Sequence, residues 1–115
     1  MNQMTERDRD YLLNILDHCD RIESAIQRFG NNLDSFLEDA DYRDVVNMNL
    51  FQIGEAVNQL SDEYREQTED IPWHQMYGIR NIIAHAYVKV DDEIVWETAT
   101  KDIPALKIRL EKELN

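Results

Sequence analysis

Cysteine is nearly absent. Cys19 stands alone in the chain, so no intrachain disulfide can form and nothing points to an oxidising compartment. Glycine and proline are also scarce, three and two among 115 residues, which argues against the many turns of a sandwich or barrel. No apolar run approaches the roughly 20 residues of a membrane span. The opening MNQMTERDRDYLL lacks the basic start and apolar stretch of a signal peptide, so the expectation is a cytoplasmic protein with no membrane partner. The three histidines, His18, His74 and His85, are scattered, and with one cysteine they offer no ligand pair at zinc-finger spacing. Glu-x-x-His pairs of the kind that build two-metal carboxylate sites are missing, as are a Walker loop, a dinucleotide fingerprint and a serine elbow. Neither a metal nor a cofactor is expected.

Positive charge is the other shortage. Twelve basic residues face 24 acidic ones, a formal charge of −12, and such a surface repels nucleic acid and anionic membrane over most of its area. Any contact with RNA must therefore be local. One window departs from this balance: residues 71–90, IPWHQMYGIRNIIAHAYVKV, hold no Asp or Glu but keep His74, Arg80, His85 and Lys89.

With 43% hydrophobic residues, a chain of this length forms one domain, residues 1–115, and buries about two-thirds of the surface exposed when unfolded. Thr5, followed by Glu6, Asp8 and Asp10, reads as a capped helix start. Leu12, Ile15, Leu16, Cys19, Ile22 and Ile26 then recur at helical spacing as far as Gly30. In this stripe Cys19 reads as a small core residue. The segment LDSFLEDADYR can add a short helical turn. From Asp41 to Leu60 a second long helix carries Val45, Met48, Phe51, Ile53, Val57 and Leu60, with Gly54 inside it, where a glycine permits close approach of another helix. Asn47, Asn49, Gln52, Glu55 and Asn58 give the same helix a polar aspect suited to an interface, a cleft wall or plain solvated surface. SDEYREQTED is a short helix or loop opening on Ser61. Pro72 starts a helix that should stop near Tyr87, and Asp91 or Asp92 caps the last one, which Pro104 is expected to break or kink, with Asp102 capping the restart. The fold class is all-α, an antiparallel bundle of four to five helices.

On an ideal helix the acid-free window sorts into an apolar arc of Met76, Ile79, Ile82, Ile83 and Ala86 and a polar arc of His74, Gly78, Asn81 and His85, with Arg80 at the border. An imidazole exchanges a proton near neutral pH, and a permanently charged guanidinium grips phosphate through paired hydrogen bonds. RNA suits this pair because its 2′-hydroxyl is an internal nucleophile, so that only a proton acceptor, a proton donor and a clamp are needed. One histidine does not readily serve both sides of the phosphorus, and a twofold dimer would bring a second. The plain alternative is that Arg80 makes an ion pair, His85 is a partly buried hydrogen-bonding residue and Tyr87 is a core or interface ring.

The run Arg80-Asn81-Ile82-Ile83-Ala84-His85-Ala86-Tyr87 matches an R-x4-H-x-Y signature, and together with NLFQIGEAVNQLS, IPWHQMYGIRN and VDDEIVWETATKDIPAL it resembles the HEPN superfamily in its short HepT-like (DUF86) branch over nearly the whole chain. The resemblance implies a helical-bundle ribonuclease toxin acting as a homodimer, of a type VII-like toxin-antitoxin pair. Its partner would be a minimal nucleotidyltransferase antitoxin that transfers AMP to the motif tyrosine, here Tyr87. Arg80 and His85 carry over as catalytic residues and Asn81 as the polar residue following the arginine. The substrate would be RNA, tRNA among the candidates. Ala86 departs from the glycine often found there. A second reading is a noncatalytic partner that presents nucleotide or substrate to the nucleotidyltransferase; a third is a structural dimer whose motif seals the interface.

Overall fold

Thr5 begins the first helix as its sequence predicts. The computed structural model describes residues 4–84 and 91–115, and α1, Glu6–Phe29, opens on a capping box in which Thr5 Oγ1 accepts from Asp8 N at 2.9 Å and Asp8 Oδ2 accepts from Thr5 N at 3.3 Å. It ends at Gly30, whose φ of +114° suits a residue without a side chain. The following elements are α2, Leu33–Glu38; α3, Ala40–Gln59; α4, Asp62–Gln67; α5, Trp73–Ala84; α6, Asp92–Glu97; and α7, Ile103–Leu114. Among the described residues there is no strand. The chain is an all-α bundle. Four long rods (α1, α3, α5 and the α6–α7 run) are accompanied by the two short helices α2 and α4. Asn32, Asp39, Ser61 and Asp91 each accept hydrogen bonds from the first backbone amides of the helix they precede.

Helix α3 is the centre, packing on α1 along one side and α5 along the other. Its buried positions are Tyr42, Val46, Asn49, Leu50, Ile53, Gly54, Ala56 and Val57. Val45 and Met48, which share the apolar periodicity, instead point outward at 37% and 59% exposure. The α1 side is closed by Leu12, Ile15, Cys19 and Ile22, all fully buried. Burial raises the Cys19 thiol to about 12, so it stays protonated and inert. At one end of the bundle Tyr42 stacks on Phe29 (4.9 Å between centroids) and meets Phe36 edge-on at 5.1 Å, with Trp96 against Phe36. At the other, Tyr64 donates to Glu113 at 2.7 Å while Arg109 bridges Glu113 and Asp70.

Pro104 does not end the last helical rod. A π-helical turn, Thr98–Asp102, lies between α6 and α7 and carries the rod through, with Pro104 in the first turn of α7. The wider turn accommodates a residue that has no amide hydrogen to give. Asp102 has helical backbone angles and makes no cap; its carboxylate accepts from Gln75 Nε2 of α5 at 3.2 Å. The restart does follow Asp102, since α7 begins at Ile103, but without the side-chain cap predicted there.

Asp8 joins three elements, because beyond its own cap it accepts from Ser61 N and Ser61 Oγ, both at 2.8 Å, and Ser61 Oγ accepts from Tyr64 N. Burial pushes the Asp8 carboxyl upward, but the bonds from Ser61 and Thr5 outweigh it and hold the group below its ordinary value. Its stabilising contribution is thus complete above the unfolded-state value, about pH 4, and is lost as the pH falls through the lower folded value. Asp8→Ala should lower the unfolding free energy at pH 7 by about 2–4 kcal/mol, from the lost cap and the stranded Ser61 donors. In urea titrations the gap from wild type should narrow below about pH 4.

Candidate functional site

Arg80 projects from α5 onto α3 at the point where α3 has no side chain. A Cβ built on Gly54 would lie 2.2 Å from Arg80 Cβ and 2.9 Å from its Cγ, so the arginine stem occupies the space that the glycine leaves. The two helices approach closely there, as an internal glycine predicts. Gly78, on the polar arc of α5, has open space around it instead.

The guanidinium, with its side chain 23% exposed, is fixed on several sides. Its Nε donates to Glu55 Oε1 and its Nη1 donates to Asn81 Oδ1 at 3.0 Å. The Phe51 ring lies 5.1 Å from the guanidinium carbon and the Tyr77 ring 5.9 Å, within cation–π range. Phe51 and Glu55 are four apart on α3, Tyr77 and Arg80 three apart on α5, so each helix presents one ring and one charge on a single face. The ion pair of the plain alternative therefore exists. It does not saturate the arginine: both hydrogens of Nη2 and one of Nη1 have no partner among these described contacts.

Asn81 and Arg80 are thus brought together. His85 and Tyr87, the other two site residues read from the sequence, lie outside the described residues, as does the predicted helix end near Tyr87. Of the apolar arc, Met76 and Ile79 are buried and Ile83 half-buried, but Ile82 is 43% exposed. Ile82, two residues on from Arg80, lies about 200° around the helix, on the side away from α3. The acid-free character of residues 71–90 also has a limit: α3 supplies Glu55 from across the helix contact. Sequence reasoning named Glu55 only as one polar residue of a possible cleft wall and did not single out Phe51 or Tyr77; the signal available was their shared face with Gly54 and Arg80. His18 serves the fold, its Nδ1 lying 2.7 Å from Asn49 Oδ1 while Asn49 Nδ2 donates to Val45 O.

Beside Phe51, the groove between α3 and α5 is lined by Asp44, Asn47, Met48, Phe51, Ile83 and Ala84. Asn47 Oδ1 is buried in the chain with no hydrogen-bond partner among the described residues.

The model of the family described as "Ribonuclease HepT-like" matches residues 15–113. The chain belongs to the ribonuclease HepT-like family. It is 32% identical over 109 residues to a protein of Thermococcus cleftensis named "Probable ribonuclease HepT", covering 95% of this chain and 97% of that one. A "Putative RNase" of Caldanaerobacter subterraneus subsp. tengcongensis is 33% identical over 106 residues, 92% of this chain and 93% of the relative. Another protein so named, from Methanocaldococcus jannaschii, is 34% identical over 110 residues, with 95% and 89% covered. No solved structure matches the chain. This membership bears out the HEPN, HepT-like resemblance of the sequence blocks and places ribonuclease activity at the level of the family.

Filling the space above Gly54 should disturb this site and the fold together. Overpacking costs about 1–3 kcal/mol and the gain in helix propensity returns about 1 kcal/mol. Because a 2.2 Å approach to a helical Cβ is at the severe end, Gly54→Ala should show a net loss of about 2 kcal/mol in urea unfolding.

Proposed function

We propose that this protein is an endoribonuclease toxin that cleaves RNA by attack of the 2′-hydroxyl on the adjacent phosphorus. Arg80 clamps the phosphate and the charge that grows on it, Asn81 orients, and His85 is the general acid/base. The observation that carries this reading is the state of Arg80: a guanidinium held by α3, with Nη2 and one Nη1 hydrogen unpartnered among the described residues, five residues before a histidine. The family supplies the reaction class. The internal nucleophile removes the need for a metal-activated water, so the reaction is expected to proceed without one.

A homodimer fits the mechanism by bringing a second imidazole to the opposite side of the phosphorus. Exposed Val45 and Met48, and the largely apolar groove whose Asn47 oxygen has no partner among the described residues, offer a surface for a second copy close to Arg80. A minimal nucleotidyltransferase antitoxin, transferring AMP to Tyr87, would set a phosphate and a bulky base next to the clamp. That is inhibition by occupancy of the charge RNA requires.

The competing reading is a noncatalytic module that binds nucleotide or substrate for the nucleotidyltransferase. A charge of −12 and the Glu55 pairing of Arg80 favour it. Purified protein incubated with cellular RNA in excess chelator decides between them: cyclic-phosphate ends support the nuclease, whereas intact RNA or a strict magnesium requirement counts against it. His85→Ala should cut the rate by about 10²- to 10⁴-fold with an unchanged circular dichroism spectrum, and equal cleavage by the mutant would remove His85 from the mechanism.

A further inference from the structure

We infer that Glu55 is the positioning residue of the Arg80 clamp, an inference that rests on the ribonuclease reading above. A long arginine on a helix surface samples many rotamers, and an anion meeting it must first select one. Here the choice is made in advance. Gly54 admits the stem, Phe51 and Tyr77 flank the guanidinium, Asn81 Oδ1 accepts from Nη1, and the Glu55 carboxylate accepts from Nε. Of these partners only Glu55 takes the side-on edge of the fork. With Nε taken by Glu55 and one Nη1 hydrogen by Asn81, a phosphate must use Nη2 and the remaining Nη1 hydrogen, which restricts its orientation relative to α5.

Glu55 has two opposed effects. Its negative charge weakens the attraction of Arg80 for RNA, while its hydrogen bond fixes the guanidinium where charge develops in the transition state. Ground-state binding should suffer and turnover should gain. A carboxylate that merely competed with substrate would depress both binding and kcat/KM, and one that merely held α3 to α5 would change stability without changing turnover by folded enzyme. The residue acts through Arg80 and need not touch the substrate. On its other side Glu55 borders a shallow groove with Asp10, Tyr11, Asn14, Gln52 and Gln59, and among the described residues Arg80 is the cation that pairs with it.

The test is steady-state cleavage of a defined RNA by the full chain and by Glu55→Ala, Glu55→Gln, Arg80→Ala and the Glu55→Ala/Arg80→Ala double variant, each checked for folding by circular dichroism and thermal unfolding. Glu55→Ala should lower kcat by about 10- to 100-fold, the scale of a misplaced catalytic group, with KM unchanged or reduced. Glu55→Gln keeps an oxygen acceptor for Nε and should recover kcat to within about threefold of wild type. In the double variant the glutamate substitution should add nothing to the loss from Arg80→Ala, because its effect passes through that residue. If Arg80→Ala is impaired but Glu55→Ala turns over like wild type, or if the two losses multiply, the positioning role is overturned and the nuclease reading stands. If wild type leaves RNA intact, both fall.

Discussion

The close passage of α5 over α3 at Gly54 is the constraint on which the site rests. A methyl group there would overlap the first carbon of the Arg80 side chain, and that carbon cannot move without its helix. Interhelical distance and the path of the arginine are therefore set by one missing side chain. An internal glycine costs a helix about 1 kcal/mol relative to alanine, and the buried rows of Ile53, Val57, Met76 and Ile79 offset that cost by packing the two helices together on either side of it. Stability and site geometry are consequently not separable along this contact.

Charge is arranged on the same principle. Over most of the surface, acidic side chains keep polyanions away; α5 is free of acids along its described length, Trp73–Ala84, yet its arginine meets Glu55 from the facing helix. The pair reduces the long-range field of the site while leaving a short-range, directional donor edge. On the proposed reading such a site would not attract RNA from a distance and would recognise an anion only on close contact. A strongly acidic protein can thereby carry a phosphate clamp without becoming a general nucleic-acid binder, and long-range attraction, if required, must come from a second subunit or another protein.

Much of this was legible in the sequence. Helical periodicity and cap residues located the main elements: Thr5 caps α1 as expected, Asp91 is the one of the two candidate acids that caps α6, the segment opening on Ser61 is helical, and Gly30 ends α1. The reading of Gly54 as a close-approach position was also borne out. What periodicity could not resolve was the direction in which a shared stripe faces. Val45 and Met48 fall on the helical repeat of α3 but lie outside, because α1 and α5 cover other parts of its circumference; Ile82 faces about 200° away from Arg80 and its contact with α3. At Pro104 the expected break or kink takes the form of a π-helical turn, Thr98–Asp102, that interrupts the α-helix and keeps the rod helical. Glu55 was invisible as a site residue for another reason: its role depends on a residue 25 positions away, and no local pattern announces that pairing.

The identity of the flanking residues explains why an arginine is tolerated at a helix contact at all. A partly buried guanidinium requires partners for its charge and its donors. The carboxylate supplies the charge, Asn81 an acceptor and the two rings a face that does not compete for hydrogen bonds, so desolvation is met without saturating the fork. Replacing the rings by polar groups would satisfy more donors and leave fewer for a ligand; replacing Asn81 by an acid would add a second negative charge beside the first. The observed set, with one acid, one amide and two aromatic rings, secures the arginine against the bundle and leaves three guanidinium hydrogens without a partner among the described contacts.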